Sequence, residues 1–531
     1  ILLVYNTGRL VCLDTRTNEI KWQQDDLVGE LGTDKQGIFT LFVDRDNDIW
    51  MYSPLGIWVY NPEQEKWLSW LTNIIKRRSH NMVRAVSQDK QGRIWIGTDQ
   101  DGIDILDKKT GEVRQLRNKA GNERSLQNNT VMVLYEDSSE TMWVGTYKKG
   151  ISYFNECAFK FGAEYIGDIS CIEEDKEGYV WLGTNDVGII YWNSVTGNRA
   201  AFPQKGMDKL TTDAIVCILK AGDGKLWIGT FGGGLICYDN GRIIHYKKNI
   251  PERQNSLAHN NVLALAEDKQ GIIWIGTLGG GVQSLNPKTG LFTTYNTTSA
   301  GLISDYVSSL CMGKEGSLWI GTAQGLSELD IETKKVVNLE GTKSGKEYFS
   351  DQNISQVYED SRGLIWIGTC EGLNVYNPKT DELIILGVEQ GVSSPIISGI
   401  VEDGNENIWV TTARGITNVI PAVDLKTGRY IFHSCVYDDK DGLQNSGFNL
   451  RSIKKLSSGE ILMGGLYGIN RFRPDDIKYN KKRPSVMFTR LFLFNEEVGV
   501  GEEYEGRVIL DKALNKVDQI CLLYTSPSPR D

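Results

Sequence analysis

Four groups of residues in this 531-residue chain are of types that could do chemistry. The acids come first. Asp recurs in an Asp-x-x-Gly turn (Asp89 to Gly92, Asp175 to Gly178, Asp360 to Gly363), while Asp186 and Asp305 stand in other loops. A glycosidase sets two carboxylates across a cleft, and no such pair stands apart from the turns. The nine Cys and four His could supply zinc ligands. They show no CxxC and no Cys–His pairing, so neither a metal nor a cofactor is expected. Gly232-Gly233-Gly234 and Gly279-Gly280-Gly281 could cradle a phosphate, but each sits in a turn between apolar runs, where Gly frees positive φ. The last group suits recognition: Tyr147, Lys148, Asn185, Phe231, Arg414 and Tyr467, with Asp305, Tyr306, Phe448 and Asn449. Aromatic faces can stack on a sugar ring, and amides and charges can hydrogen-bond its hydroxyls.

The elements that must position these residues repeat. Ile94-Trp95-Ile96-Gly97-Thr98, a short polar turn and Gly102 recur about every 45 residues, a period typical of repeat architectures. Trp holds the same slot at Trp50, Trp95, Trp143, Trp181, Trp227, Trp274, Trp319, Trp366 and Trp409. Ile461-Leu462-Met463-Gly464-Gly465 is a degenerate copy, and Ile1-Leu2-Leu3 reads as the tail of an earlier one. Within one repeat, Val262–Ala266, Ile272–Thr277, Val282–Leu285 and Leu291–Tyr295 are short apolar or alternating runs separated by turn residues. Four short antiparallel strands per unit is the pattern of a β-propeller blade. The motif Trp is expected to pack between neighbouring blades. Cys171 and Cys217 stand ten residues before their motif Trp, in a column shared with Ala85, Val133, Ala264, Ser309, Gly399 and Ser452. Mostly small residues there imply crowding, not sulfur chemistry.

The fold class is therefore all-β, with tandem propellers. Rings close with four to eight blades, so eleven motif copies need two. The short interval between Trp143 and Trp181 marks the break. Residues 1–153 are read as the last four blades of a first propeller, and 154–478 as a complete seven-bladed one. Lys481-Lys482-Arg483-Pro484 reads as a linker, and Ser485 to Asn495 alternates like the opening strand of a β-sandwich covering 479–520. Cys521 to Asp531 resembles the translation of a sequencing adaptor, which would make it a non-native tail. The formal charge of −10 argues against nucleic acid. No run of 18 or more apolar residues occurs, so no segment reads as a membrane helix.

With those residues in view, the chain resembles the two-component-regulator propeller family, the extracytoplasmic sensors of hybrid two-component systems and related histidine kinases. The Ile-Trp-Ile-Gly-Thr repeat carries the likeness. So do Lys440 to Asn449 and Gly464 to Pro474, which look like the family's final blade, and Pro484 to Asn495, which looks like the entry to its triple-tyrosine, Ig-like β-sandwich. The resemblance implies two seven-bladed propellers, the sandwich, a transmembrane helix downstream, and kinase and receiver domains. It further implies a periplasmic location, a homodimer, an oligosaccharide ligand and control of polysaccharide-utilisation genes by phosphorelay. A propeller as such implies no function.

The loop joining strands two and three of a meander emerges on the same face as the loop between blades. Tyr147, Lys148, Asn185, Phe231, Arg414 and Tyr467 belong to the first kind, and Asp305, Tyr306, Phe448 and Asn449 to the second. These slots vary while the scaffold repeats, as in a rigid frame that carries a site. A non-catalytic sensor is the leading expectation; a glycan-active enzyme and a protein-binding scaffold are the alternatives.

Overall fold

A computed structural model describes residues 1–25, 38–53, 56–78, 82–120, 125–155, 159–193, 196–202, 210, 212, 214–248, 255–444, 447–478, 488–493, 495–504 and 506–516. Its contacts divide the chain into two units, Ile1–Lys478 and Tyr479–Asp531.

The first unit is a succession of antiparallel meanders. A three-stranded sheet opens it (Leu2–Val4, Leu10–Leu13, Ile20–Gln24), and two four-stranded sheets follow, from Thr40 to Trp67 and from Val83 to Leu116. A three-stranded sheet (Val131–Glu136, Met142–Thr146, Ile151–Phe154) comes next. Six further sheets take their four strands in sequence order: 169–202, 215–246, 262–295, 307–339, 354–386 and 397–437. The last sheet is different. Phe448–Lys455, Ile461–Gly465 and Gly468–Phe472 take their outer strand from Gly162–Tyr165, upstream of all six. The seven sheets share seven cores, one at each junction. In the seventh, Leu456, Leu462 and Ile469 pack against Ile169, Val180 and Leu182, which returns the last sheet to the first.

Each residue of the motif has a separate duty. Trp fills the junction: Trp50, Trp95, Trp227, Trp274, Trp366 and Trp409 are fully buried, and Trp181 and Trp319 nearly so. Trp143 departs from the expected interblade packing and is 40% exposed. Its sheet has only three strands, and among the described residues its ring contact is Tyr153. The indole Nε1 donates to the Asp that opens the turn six residues upstream, at 2.7–3.0 Å, for Trp50, Trp95, Trp143, Trp181, Trp274, Trp366 and Trp409. The motif Gly is small because the next blade presses on it. A Cβ at Gly368 would lie 2.6 Å from Ile397, and one at Gly183 would lie 2.4 Å from the Cys171 sulfur. That contact explains the small-residue column. The motif Thr hydroxyl donates to the carbonyl of the Gly that ends the following turn, at 2.7–3.1 Å.

One element was missed and one expectation needs correction. The helix Ser69–Arg78 was not legible in the strand pattern; Leu71 and Ile74 seat it on the core between the second and third sheets. In the second unit, among the described residues, the opening strand expected over 485–495 is present at Phe492–Leu493, which pairs with Glu496–Glu497; a second short pair joins Glu503–Tyr504 to Arg507–Val508. Phe488 and Phe492 are exposed, since no longer strand lies beside them among the described residues. The linker 481–484, part of the expected strand and the adaptor-like tail fall outside the described residues.

The packing yields two expected outcomes in chemical denaturation. Trp366→Ala should cost about 3–5 kcal/mol. Trp227 stands six residues after Ala221, not Asp, and its buried Nε1 meets no acceptor. Ala221→Asp should therefore raise stability by about 1 kcal/mol.

Candidate functional site

The loops between strands two and three are tied to the segments entering each blade. The residue after the motif Thr donates its N–H to a carbonyl just ahead of the first strand: Tyr147 to Thr130, Asn185 to Asp168, Phe231 to Ala214, Leu278 to Asn261, Ala323 to Tyr306 and Ala413 to Ile396. Both kinds of loop therefore share one end of the sheets, and the Asp-x-x-Gly turns occupy the other.

Asn185, Phe231, Arg414 and Tyr467 lie in equivalent loops of the seven-sheet assembly and are all exposed. Phe231 and Tyr467 show more than half of their surface, as does Tyr306 on the neighbouring entry loop. Asn185 and Asn449 converge on a residue the sequence did not single out. Asp168 accepts from Asn185 Nδ2 at 2.8 Å through one oxygen and from Asn449 Nδ2 at 2.6 Å through the other. Asn449 also donates to the Ile169 carbonyl at 2.7 Å. This amide–carboxylate cluster lies on the seam between the last sheet and the first.

The other candidates divide. Phe448 is only 5% exposed and packs with Phe161, Tyr437 and Phe472 in the core, so it presents no face to a ligand. Its apolar ring starts a strand whose inward side is the final junction. Asp305 spends its carboxylate on Thr297, accepting from the backbone N at 2.7 Å and from Oγ1 at 3.1 Å. Tyr147 and Lys148 stand together, the ammonium 5.0 Å from the ring centroid, but they belong to the earlier three-stranded sheet.

Two cavities compete with the loop end. One of about 420 Å³ is lined by Trp95, Arg114, Tyr153, Phe154, Phe159 and Tyr165. It follows the free edge of Ile151–Phe154, at the place where the last sheet of the assembly receives Gly162–Tyr165. There Phe161 sits against Trp409 and Phe472, whereas here Trp95 and Phe154 touch only each other among these rings. The second, about 280 Å³, opens where Gly313 replaces the turn Asp, and Trp319 turns instead to Glu359 at 3.3 Å. Three of its lining charges are already paired, Lys343 with Glu328 and Arg362 with Asp360.

Asp44, Asp46 and Asp48 form a potential cation cage, and Lys108 enters it. The ammonium lies 2.6 Å from Asp44 and 2.7 Å from both Asp46 and Asp48. Burial opposes the Lys108 charge, but the three carboxylates outweigh it and hold its pKa above the ordinary lysine value. Lys108 in turn holds Asp46 below the usual carboxylate range. A lowered carboxyl pKa contributes stability above about pH 4 that is lost as pH falls. Lys108→Met should cost about 3–5 kcal/mol at pH 7 by stranding the buried carboxylates. Because Asp46 loses its Lys108 partner in the variant, that loss should shrink as pH falls below about 4 and the lowered Asp46 carboxyl of the wild type protonates. EDTA should leave the wild-type melting temperature unchanged, because a tethered cation already fills the cage.

Comparison with known proteins agrees with this geometry. The two-component regulator propeller family matches residues 78–100, 125–148, 166–186, 209–232, 256–279, 301–324 and 348–371. The chain is 25% identical to histidine kinase P4 of Formosa agariphila over 315 residues, 58% of this chain and 22% of that protein. The extracellular domain of a B. thetaiotaomicron protein described as a hybrid two-component system superposes with a TM-score of 0.71 at 23% identity, over 94% of this chain and 65% of that one. A second B. thetaiotaomicron extracellular domain, described as that of a one-component system, gives 0.50 at 18% identity, over 97% and 69%. The chain thus spans about a fifth of the curated kinase and just under two thirds of the first of these domains. The repeated Trp-x-Gly-Thr unit, the sheets it builds and these matches lead to one assignment: the chain belongs to the two-component regulator propeller family.

Proposed function

We propose that this chain is the ligand-recognition part of an extracytoplasmic, periplasmic sensor in a membrane-anchored hybrid two-component histidine kinase, and that its ligand is an oligosaccharide. Residues 154–478 act as a complete seven-bladed propeller, 1–153 as the last four blades of a preceding one, and 479–520 as the start of the sandwich. The observation that carries the reading is the exposure of Phe231, Tyr306 and Tyr467, with Asn185 and Arg414, on one end of a rigid scaffold. Rings that no turn geometry requires, beside amides and a guanidinium, offer the stacking and hydrogen bonds a sugar takes.

The acids on that end argue against glycoside hydrolysis. Both oxygens of Asp168 are engaged by Asn side chains, and both of Asp305 by Thr297. Neither is free to act, and two free, opposed carboxylates are what the reaction needs. Signalling then rests on differential affinity: a ligand that binds one arrangement of a homodimer more tightly shifts the population towards it. Phosphorelay through downstream kinase and receiver domains would carry that shift to polysaccharide-utilisation genes.

Thermal-shift screening of the chain against a panel of oligosaccharides tests the reading. One glycan class should raise the melting temperature, by the equivalent of about 2.7 kcal/mol at a hundredfold excess over Kd. Phe231→Ala with Tyr467→Ala should remove the shift. The glycan should come back intact after long incubation, as read by chromatography. Cleavage products would assign an enzyme instead, and no shift with any sugar would move the ligand outside carbohydrates.

A further inference from the structure

The first strand of each blade in the seven-sheet assembly carries a register shift just after its opening residue, and a small side chain commonly sits at the displaced position. Ser170, Ser308 and Ser355 occupy it in three blades. Each donates its hydroxyl to a backbone carbonyl of the next blade: Ile215 at 2.5 Å, Ile354 at 2.5 Å and Ile397 at 2.7 Å. In the last blade the same position holds Arg451. The register shift there is wider, spanning Phe448 to Ile453, and Arg451 has a φ of 60°, a left-handed conformation costly for a long side chain.

That geometry sends the guanidinium inward. Arg451 Nη1 donates to the Ser308 carbonyl, and Ser308 belongs to a blade three places away in a cycle of seven, as far as the assembly allows. Cys171 and Cys217, from two other blades, lie close enough to act on its charge. The head group therefore stands where the first strands converge, in a residue that is only partly buried.

Its electrostatics are incomplete. Several other enclosed cations of the unit have carboxylates: Lys108 has three, Arg362 has Asp360, Arg471 has Glu460 at 2.7 Å and Lys454 has Glu173 at 2.9 Å. Arg451 has none within ion-pair distance among the described residues, and its one hydrogen bond there goes to a neutral carbonyl. The neighbouring thiols do not compensate. Burial pushes the Cys217 thiol up to about 12 and the Cys171 thiol higher still, so both stay neutral. A guanidinium remains charged in such surroundings, and an enclosed charge without a counter-ion is a standing cost.

We propose that Arg451 is the cationic contact of a binding site for an oxyanion, a carboxylate or sulfate group, where the first strands of the seven-sheet assembly converge. The free edges of the guanidinium present paired N–H donors that match two oxygens of such a group. The proposal rests on the placement of Arg451 and is independent of the sensing reading; a free inorganic anion and an acidic sugar share the chemistry.

The test uses the full chain with sodium sulfate and sodium glucuronate, each against sodium chloride at matched ionic strength, read as melting temperature and as Kd by calorimetry. Wild type should be stabilised by sulfate, glucuronate or both beyond the chloride control, and the arm that responds identifies the source. Arg451→Met should lose that anion-specific shift while melting in chloride at or above the wild-type temperature, since it removes an unpaired charge. Arg451→Lys keeps the charge without the fork, should bind at least tenfold more weakly, and serves if the Met variant does not fold. An equal anion-specific shift in wild type and variants would overturn the proposal. So would the absence of any anion-specific shift in wild type, whatever the variants do.

Discussion

A hydrogen bond from an indole to a carboxylate, buried in most of the blades that have it, holds the blade in register with itself. In the turn of Asp268, one carboxylate oxygen accepts the backbone N–H groups of Gln270 and Ile272, while the other accepts Trp274 Nε1 at 3.0 Å. One side chain thereby fixes the turn between the first two strands, the height of the second strand and the angle of the ring that fills the junction. A polar atom that deep would otherwise lose its hydration without return. The loop end of the assembly can vary because the opposite end is held this way.

The departures from the repeat show the constraint by how they are compensated. Where Leu462 replaces Trp, no donor needs an acceptor, and Leu456 stands in the Asp position; both leucines join the closing core. Where Gly313 removes the carboxylate, Glu359 of the next blade reaches Trp319. Where Thr411 takes the motif Gly position, the facing column residue is Gly399, whose hypothetical Cβ would meet the Thr411 hydroxyl at 2.6 Å. The bulk has changed sides of the same contact. Only Trp227 is left without a substitute acceptor.

Periodic features were legible in the sequence because each repeat states them again: the four strands, the Trp slot, the small column and the shared end of the two loop types. The small column was read as crowding, and the Gly183–Cys171 and Gly229–Cys217 contacts supply the cause. Features made by contact between distant blades were not legible. Phe448 reads as a loop residue beside Asn449, yet Phe161, 287 positions earlier, draws it into the core. Asp168 lies in an entry segment that no motif marks, and its role depends on Asn449 arriving from the far end of the assembly. The helix Ser69–Arg78 and the insertion of Lys108 among three aspartates occur once each, so no second copy announces them.

The strand Gly162–Tyr165 is made before the six sheets that follow it, yet its partner Gly468–Arg471 comes last. The hydrogen bond from Asn470 to Gly162 spans 308 residues. Blade-internal pairings are local and can form as the chain emerges, but this one must wait for synthesis of almost the whole assembly. Closing so long a loop is entropically slow, and until then a strand edge stands unprotected at each end of the growing arc. Folding of this unit is thus gated by its final 20 or so residues, and a ribosome that stalls before Gly468 releases an arc with no means of closing itself.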